Sequence, residues 1–213
     1  MDCLSAVIGN TDTQMTNTHK HSVSERVLNK YAGGKYLESR VSAVLNKYLE
    51  GTIYKFESSS KILAKLFEDF VPEGEDILYV GNTWSKKKNH TGWRPDGVVT
   101  NTLNGKSICI ECKNQQSSTG HDTKGGNAHE RIGRYCLPGI LQRMREICNI
   151  KAPYIPMWAV IGGDITMDMR HISELRIMFD TEHTKGNLFL WRDMENDNAI
   201  IEHFREHIEP LLR

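Results

Sequence analysis

At 213 residues and 38% hydrophobic content, the chain is expected to form one soluble domain large enough for a core without disulfide staples. No run approaches the roughly 18 apolar residues of a membrane span, so no membrane association is expected. Lys and Arg number 27 and Asp and Glu 27, so net charge points to no particular partner.

The charge distribution is uneven. Residues 85–145 carry eleven Lys or Arg against four Asp or Glu, whereas residues 177–213 carry four against eight. Such segregation either focuses positive potential on one face or decorates solvated loops. The five cysteines (Cys3, Cys109, Cys112, Cys136 and Cys148) are an odd number without regular spacing. With no secretion signal at the N-terminus, reduced thiols and a cytoplasmic location are expected.

In chain order, residues 1–21 are rich in Thr, Asn, Ser and His and read as a flexible tail, with a single domain expected over 22–213. Helices are predicted over 22–31 and 35–51, where Leu37, Val41, Val44, Leu45 and Tyr48 share a face. A third is predicted over 58–72, stopped by Pro72. Residues 76–81 form an apolar strand, and 85–93 a basic loop. Two β-branched runs flank Asn104-Gly105, predicting a hairpin with a type I′ turn. A loop rich in Gly and Ser follows over 114–126. Then comes a helical pattern over 127–150, divided by Pro138. Strands are expected at 154–164 and 187–193, and helices at 167–179 and 196–213. The result is an α/β domain whose central sheet is flanked by helices. Trp84, Trp93, Trp158 and Trp191 are expected to pack in the core or on the sheet, and the histidines to lie at the surface without a role.

The stretch ICIECK (108–113) contains both Cys-x-x-Cys and Glu-x-Lys. Strand alternation puts Cys109, Glu111 and Lys113 on one face and Ile108, Ile110 and Cys112 on the other. The two thiols thus face opposite sides, which argues against a shared zinc or a disulfide. Glu111 and Lys113 stand about 7 Å apart on a common face, and the hairpin can bring Asp96, after Pro95, to its edge. Two carboxylates beside an ammonium suit phosphodiester hydrolysis. The carboxylates would hold Mg²⁺ through hard oxygens, and the lysine would orient or deprotonate the attacking water. Taken alone, the pair is equally compatible with a solvated Glu/Lys ion pair.

Pro-Asp followed by Glu-x-Lys is the motif of the PD-(D/E)xK nucleases. Together with Arg94-Pro95-Asp96-Gly97 and Gly126-Asn127-Ala128-His129-Glu130-Arg131, it resembles the EcoRI/MunI group of type II restriction endonucleases, most closely the MunI branch. The likeness extends through LPGIL, MWAVIGGDIT and LFLWR, covering about residues 35–205. It implies the PD-(D/E)xK restriction-endonuclease-like fold, with a central mixed sheet. It also implies a homodimer cutting palindromic double-stranded DNA with Mg²⁺ and leaving 5′-phosphate ends with a four-base 5′ overhang. Mn²⁺ would substitute, and Ca²⁺ would support binding without cleavage. A cognate DNA methyltransferase would protect the host DNA of a prokaryotic cell. Asp96, Glu111 and the Cys112 carbonyl would bind metal, and Lys113 would serve the water. Asn127, Glu130 and Arg131, with the Ala128 backbone, would read inner A·T pairs, in keeping with the hydrogen-bonding capacity of those side chains.

The CAATTG-cutting branch carries Arg directly before Gly-Asn-Ala, where this chain has Gly125 ahead of Gly126; Lys124 is the candidate replacement. An AATT core is therefore expected, with the outer pair open. Glu38 is a further candidate near the metal, with a solvent-facing helical Glu as the competing reading. Lys86, Lys87 and Lys88 are either phosphate contacts or a solvated loop. The alternative function is a structure-specific nuclease on the same hairpin, of junction-resolvase or repair type, which would not account for the Gly-Asn-Ala-His-Glu-Arg string.

Overall fold

A computed structural model describes residues 34–66, 94–114 and 128–213. The expected tail, the helix at 22–31, the strand at 76–81, the basic loop and residues 115–127 lie outside the described residues. Helix α1 (Gly34–Leu49) forms because its apolar residues recur at helical spacing. Leu37, Val41, Val44, Leu45 and Leu49 are all buried in one stripe. Replacing a fully buried leucine such as Leu45 by alanine typically costs about 2–5 kcal/mol.

The strands β1 (Tyr54–Ser58), β2 (Gly97–Asn101), β3 (Ser107–Asn114), β4 (Met157–Gly162) and β5 (Leu188–Trp191) lie side by side in chain order. β1–β2 and β2–β3 pair antiparallel, whereas β3–β4 and β4–β5 pair parallel. The sheet is therefore mixed, as expected. β3 and β4 are central and buried on both faces through most of their length, as parallel neighbours covered by helices must be.

On one face, Cys109 meets Cys148 at the end of helix α3 (Pro138–Cys148), with 3.9 Å between sulfurs. On the other, Trp158 packs against Phe204, which follows helix α5 (Asp197–His203) through a π-helical turn, Phe204–Ile208, into helix α6 (Glu209–Leu212). Trp158 and Trp191 are core residues; Trp84 and Trp93 lie outside the described residues. Helix α2 (Ala128–Gly133) passes through a 3₁₀ turn, Arg134–Cys136, before Pro138 opens α3, and helix α4 (Met169–Met178) packs beside α2. Pro138 thus divides the segment as predicted, sitting at the first helical turn where its missing N–H costs nothing.

Three expectations require correction. Ser58 closes β1 instead of starting a helix, and only a single 3₁₀ turn, Ile62–Lys65, follows among the described residues of 58–72. Ser59 takes a left-handed φ of 49°, and the Ser60 hydroxyl accepts from the Ile62 amide, which makes this serine run a turn. The hairpin forms, but not with a type I′ turn. Gly105 alone has a positive φ (72°), and the loop spans 102–106, with the Asn101 amide bonded to the Lys106 carbonyl. The Asn104 side chain donates to the Leu212 and Arg213 carbonyls, so contact with the C-terminus shapes the loop.

The third correction concerns the histidines, which are not all surface groups. The half-buried His203 ring stacks on Trp158, with 5.6 Å between centroids and 3° between planes. Burial, with His207 nearby, pulls its pKa down from 6.5 to about 3. An unfolded His203 binds a proton below pH 6.5, whereas the folded one resists protonation until about pH 3. Its contribution to stability is therefore complete above pH 6.5 and is lost as the pH falls through that window. Denaturant unfolding at pH 7 and pH 4.5 should show a clear acid loss of stability that is smaller in His203→Phe; an identical loss in both proteins would refute this.

Candidate active site

The site is built on the β2–β3 hairpin. Gly97 opposes Ile110 in the antiparallel register, so Asp96, one residue before, arrives opposite Glu111. The Cys112 amide donates to Asp96 Oδ2 at 2.7 Å and fixes that carboxylate. A Cβ at Gly97 would lie 2.6 Å from the Phe56 ring of β1, so any larger residue after Asp96 would force that ring to shift. Glu111 and Lys113 follow in alternation on β3, with Glu111 buried and Lys113 half-buried. Lys113 Nζ forms an ion pair with Glu111 Oε1, donates to the Cys112 carbonyl at 3.0 Å, and stands 3.8 Å from Asp96 Oδ2. The hydroxyl of buried Tyr135, in the turn after α2, donates to Glu111 Oε2 at 3.2 Å.

Burial raises the pKa of Glu111; Lys113 opposes that shift and Asp96 adds to it. Glu38, on α1, is likewise raised by burial and by Asp96, and lowered by Lys113 and Lys35. The thiols are pushed up, Cys112 chiefly by burial and Cys109 by its hydrogen bond with Cys148 and by burial, so both remain protonated and poor metal ligands.

These groups open into a cleft of about 410 Å³. Its acidic lining is Glu38, Asp96 and Glu111, and its cationic lining Arg94, Lys113, Arg131 and Arg134. Such a cleft can hold a hard cation at its floor while attracting a polyanion at its mouth. Among the described residues, no three His, Cys, Asp or Glu side chains stand close enough to hold a metal by themselves. The donor set that fits is mixed: Asp96, Glu111 and the Cys112 carbonyl. These three groups already converge on one positive charge, the Lys113 ammonium. Hard oxygens gathered in this way suit Mg²⁺ or Ca²⁺ and not a thiophilic ion.

The structure thus brings together Asp96, Glu111, Cys112, Lys113, Glu38 and Arg131 from the expected set. Ala128 opens α2 and Glu130 is exposed on it. Lys86, Lys87, Lys88, Lys124, Gly125, Gly126 and Asn127 lie outside the described residues. Arg94, Arg134 and Tyr135 belong to the cleft but were not among the expected site residues. Arg94 adjoins Pro95-Asp96, and Arg134 sits one helical turn after Arg131, so both positions carried a signal. Tyr135 carried none, since its contact with β3 depends on how the layers pack.

Helix α2 is only six residues long and depends on tertiary support. Ile132 is fully buried, and His129 Nε2 lies 3.2 Å from Glu174 Oε2 of α4. Glu174 also pairs with Arg170 at 3.5 Å, and the His129 and His171 rings lie 5.3 Å apart.

A family model described as type II restriction enzyme MunI matches residues 18–213. A curated relative, the type II restriction enzyme MunI of Mycoplasma sp, is 32% identical over 180 residues, covering 82% of this chain and 88% of the relative. The crystal structure of MunI restriction endonuclease in complex with cognate DNA matches with a TM-score of 0.65 at 27% identity, covering 84% of this chain and 97% of that one. On this match and the PD-(D/E)xK hairpin, the chain belongs to the MunI family of type II restriction enzymes and is a site-specific deoxyribonuclease.

Proposed function

We propose that the enzyme acts as a homodimer on duplex DNA, cutting a short palindrome with an AATT core in a Mg²⁺-dependent reaction. The products carry 5′-phosphates on four-base 5′ overhangs. The observation that carries the chemistry is the convergence of Asp96, Glu111 and the Cys112 carbonyl around Lys113, at the floor of an arginine-lined cleft. Asp96, Glu111 and the Cys112 carbonyl hold the metal, with Glu38 in the same cleft. When bound, Mg²⁺ supplies Lewis acidity that eases water deprotonation and offsets charge on the scissile phosphate.

Lys113 Nζ orients the attacking water, and once it has released a proton to solvent its neutral amine can take the water's proton. Attack at phosphorus then breaks the bond to O3′, which leaves the phosphate on the 5′ end. Arg94 and Arg134 hold phosphate oxygens, as do Lys86, Lys87 and Lys88. Asn127, Glu130 and Arg131, with the Ala128 backbone, read the inner A·T pairs in the major groove. The cognate DNA in the MunI crystal structure supports duplex DNA as the ligand. Mn²⁺ replaces Mg²⁺, and Ca²⁺ supports binding alone. A cognate methyltransferase in the same prokaryotic cytoplasm protects the host site.

Asp96→Ala should retain specific binding to an AATT-containing duplex in Ca²⁺ but lose about 100-fold or more in cleavage rate with Mg²⁺. Undiminished cleavage would refute the assignment. Arg94→Ala and Arg134→Ala should each weaken binding to cognate and non-cognate duplexes alike, and lower the salt slope of log K by about one. A change in base preference instead would show that these arginines read bases.

Because Gly125 replaces the arginine that precedes Gly-Asn-Ala in the CAATTG-cutting branch, the outer pair is read differently here, with Lys124 as the nearest cation. Competitive cleavage of AATT in each symmetric outer context should show a preference that changes in Lys124→Ala. Strict CAATTG selectivity, unaltered in that variant, would contradict this.

A further inference from the structure

We propose that Tyr135 is a positioning residue that sets the orientation of Glu111 and ties it to the helix presenting Glu130 and Arg131. The inference rests on the reading of Glu111 as a metal-binding carboxylate. The two oxygens of Glu111 have separate partners, Lys113 on Oε1 and the Tyr135 hydroxyl on Oε2 at 3.2 Å. Glu111 and Tyr135 are each only 7% exposed, so water cannot readily replace the phenol. A carboxylate held at both oxygens has one orientation, and removing the hydroxyl frees it to turn.

The second part of the inference concerns where Tyr135 comes from. It lies in the 3₁₀ turn that continues directly from α2, four residues after Arg131. Arg131 and Arg134 of the same segment line the cleft that holds Glu111. α2 is braced from behind by Glu174 of α4 through His129. Because Tyr135 continues directly from α2, the placement of that helix also sets the position of the phenol on Oε2 of Glu111. Tyr135 thus links the placement of the recognition helix to the geometry of the site.

The test compares full-length wild type, Tyr135→Phe, Tyr135→Leu and Glu111→Gln. Tyr135→Phe keeps the ring and removes only the hydroxyl. It should melt like wild type and bind cognate duplex within about twofold of wild type at saturating Ca²⁺. The Ca²⁺ concentration giving half-maximal specific binding should rise about tenfold, as should the Mg²⁺ requirement, with single-turnover cleavage at least about tenfold slower. The ratio of cognate to one-base-off cleavage rates should narrow.

Wild-type rates and an unchanged Ca²⁺ midpoint in Tyr135→Phe would overturn the proposal. So would a defect seen only in Tyr135→Leu, which would reduce the residue to packing. A rate loss matched by an equal loss of melting temperature and DNA affinity would overturn it too. Glu111→Gln separates the two levels. If it cleaves like wild type, the site reading fails; if it is inactive while Tyr135→Phe is normal, only the positioning role fails.

Discussion

The hydrogen bond from the Cys112 amide to Asp96 locks the mouth of the β2–β3 hairpin. Without it, a carboxylate at the start of an antiparallel strand would point into solvent. With it, Asp96 is held against the backbone of the strand that carries Glu111 and Lys113. The register that sets Gly97 opposite Ile110 delivers Asp96 to that place, and the absence of a side chain at Gly97 lets Phe56 of β1 pack close behind it. Everything else in the cleft is arranged around this clasp.

The electrostatics follow from the same geometry. Glu111 lies close to Asp96, and burial together with that neighbouring charge disfavours its ionised form. Lys113 offsets both, lying against Glu111 and the Cys112 carbonyl and within 3.8 Å of Asp96. The floor of the cleft is thus organised to hold positive charge, whereas the arginines around it create a field suited to phosphate. Acidic floor and basic lining together distinguish this cleft from an ordinary surface ion pair, whose contribution is small and solvent-screened.

Much of this was legible in the residues, for identifiable reasons. Strand alternation placed Glu111 and Lys113 together, and the structure directs Cys109 toward Cys148 on the face that also holds Tyr135. Asn104-Gly105 marked the hairpin, although the C-terminal carbonyls gave the loop a different shape. β1 escaped notice because Phe56 is its one buried residue, leaving Lys55 and Glu57 outward and little periodic signal. His203 was misjudged because its stacking on Trp158 joins a helix to a strand distant in sequence. Tyr135 was missed for the same reason: local patterns reveal faces of elements, not which side chains meet across layers.

The most direct test of the proposed chemistry and recognition together is to digest a plasmid of known sequence with the full-length enzyme and Mg²⁺ and to sequence both strands at the fragment ends. Discrete fragments, each ending in a 5′-phosphorylated AATT overhang, are the predicted result. Ends without a common AATT, blunt ends, or cutting confined to branched or damaged DNA would contradict it.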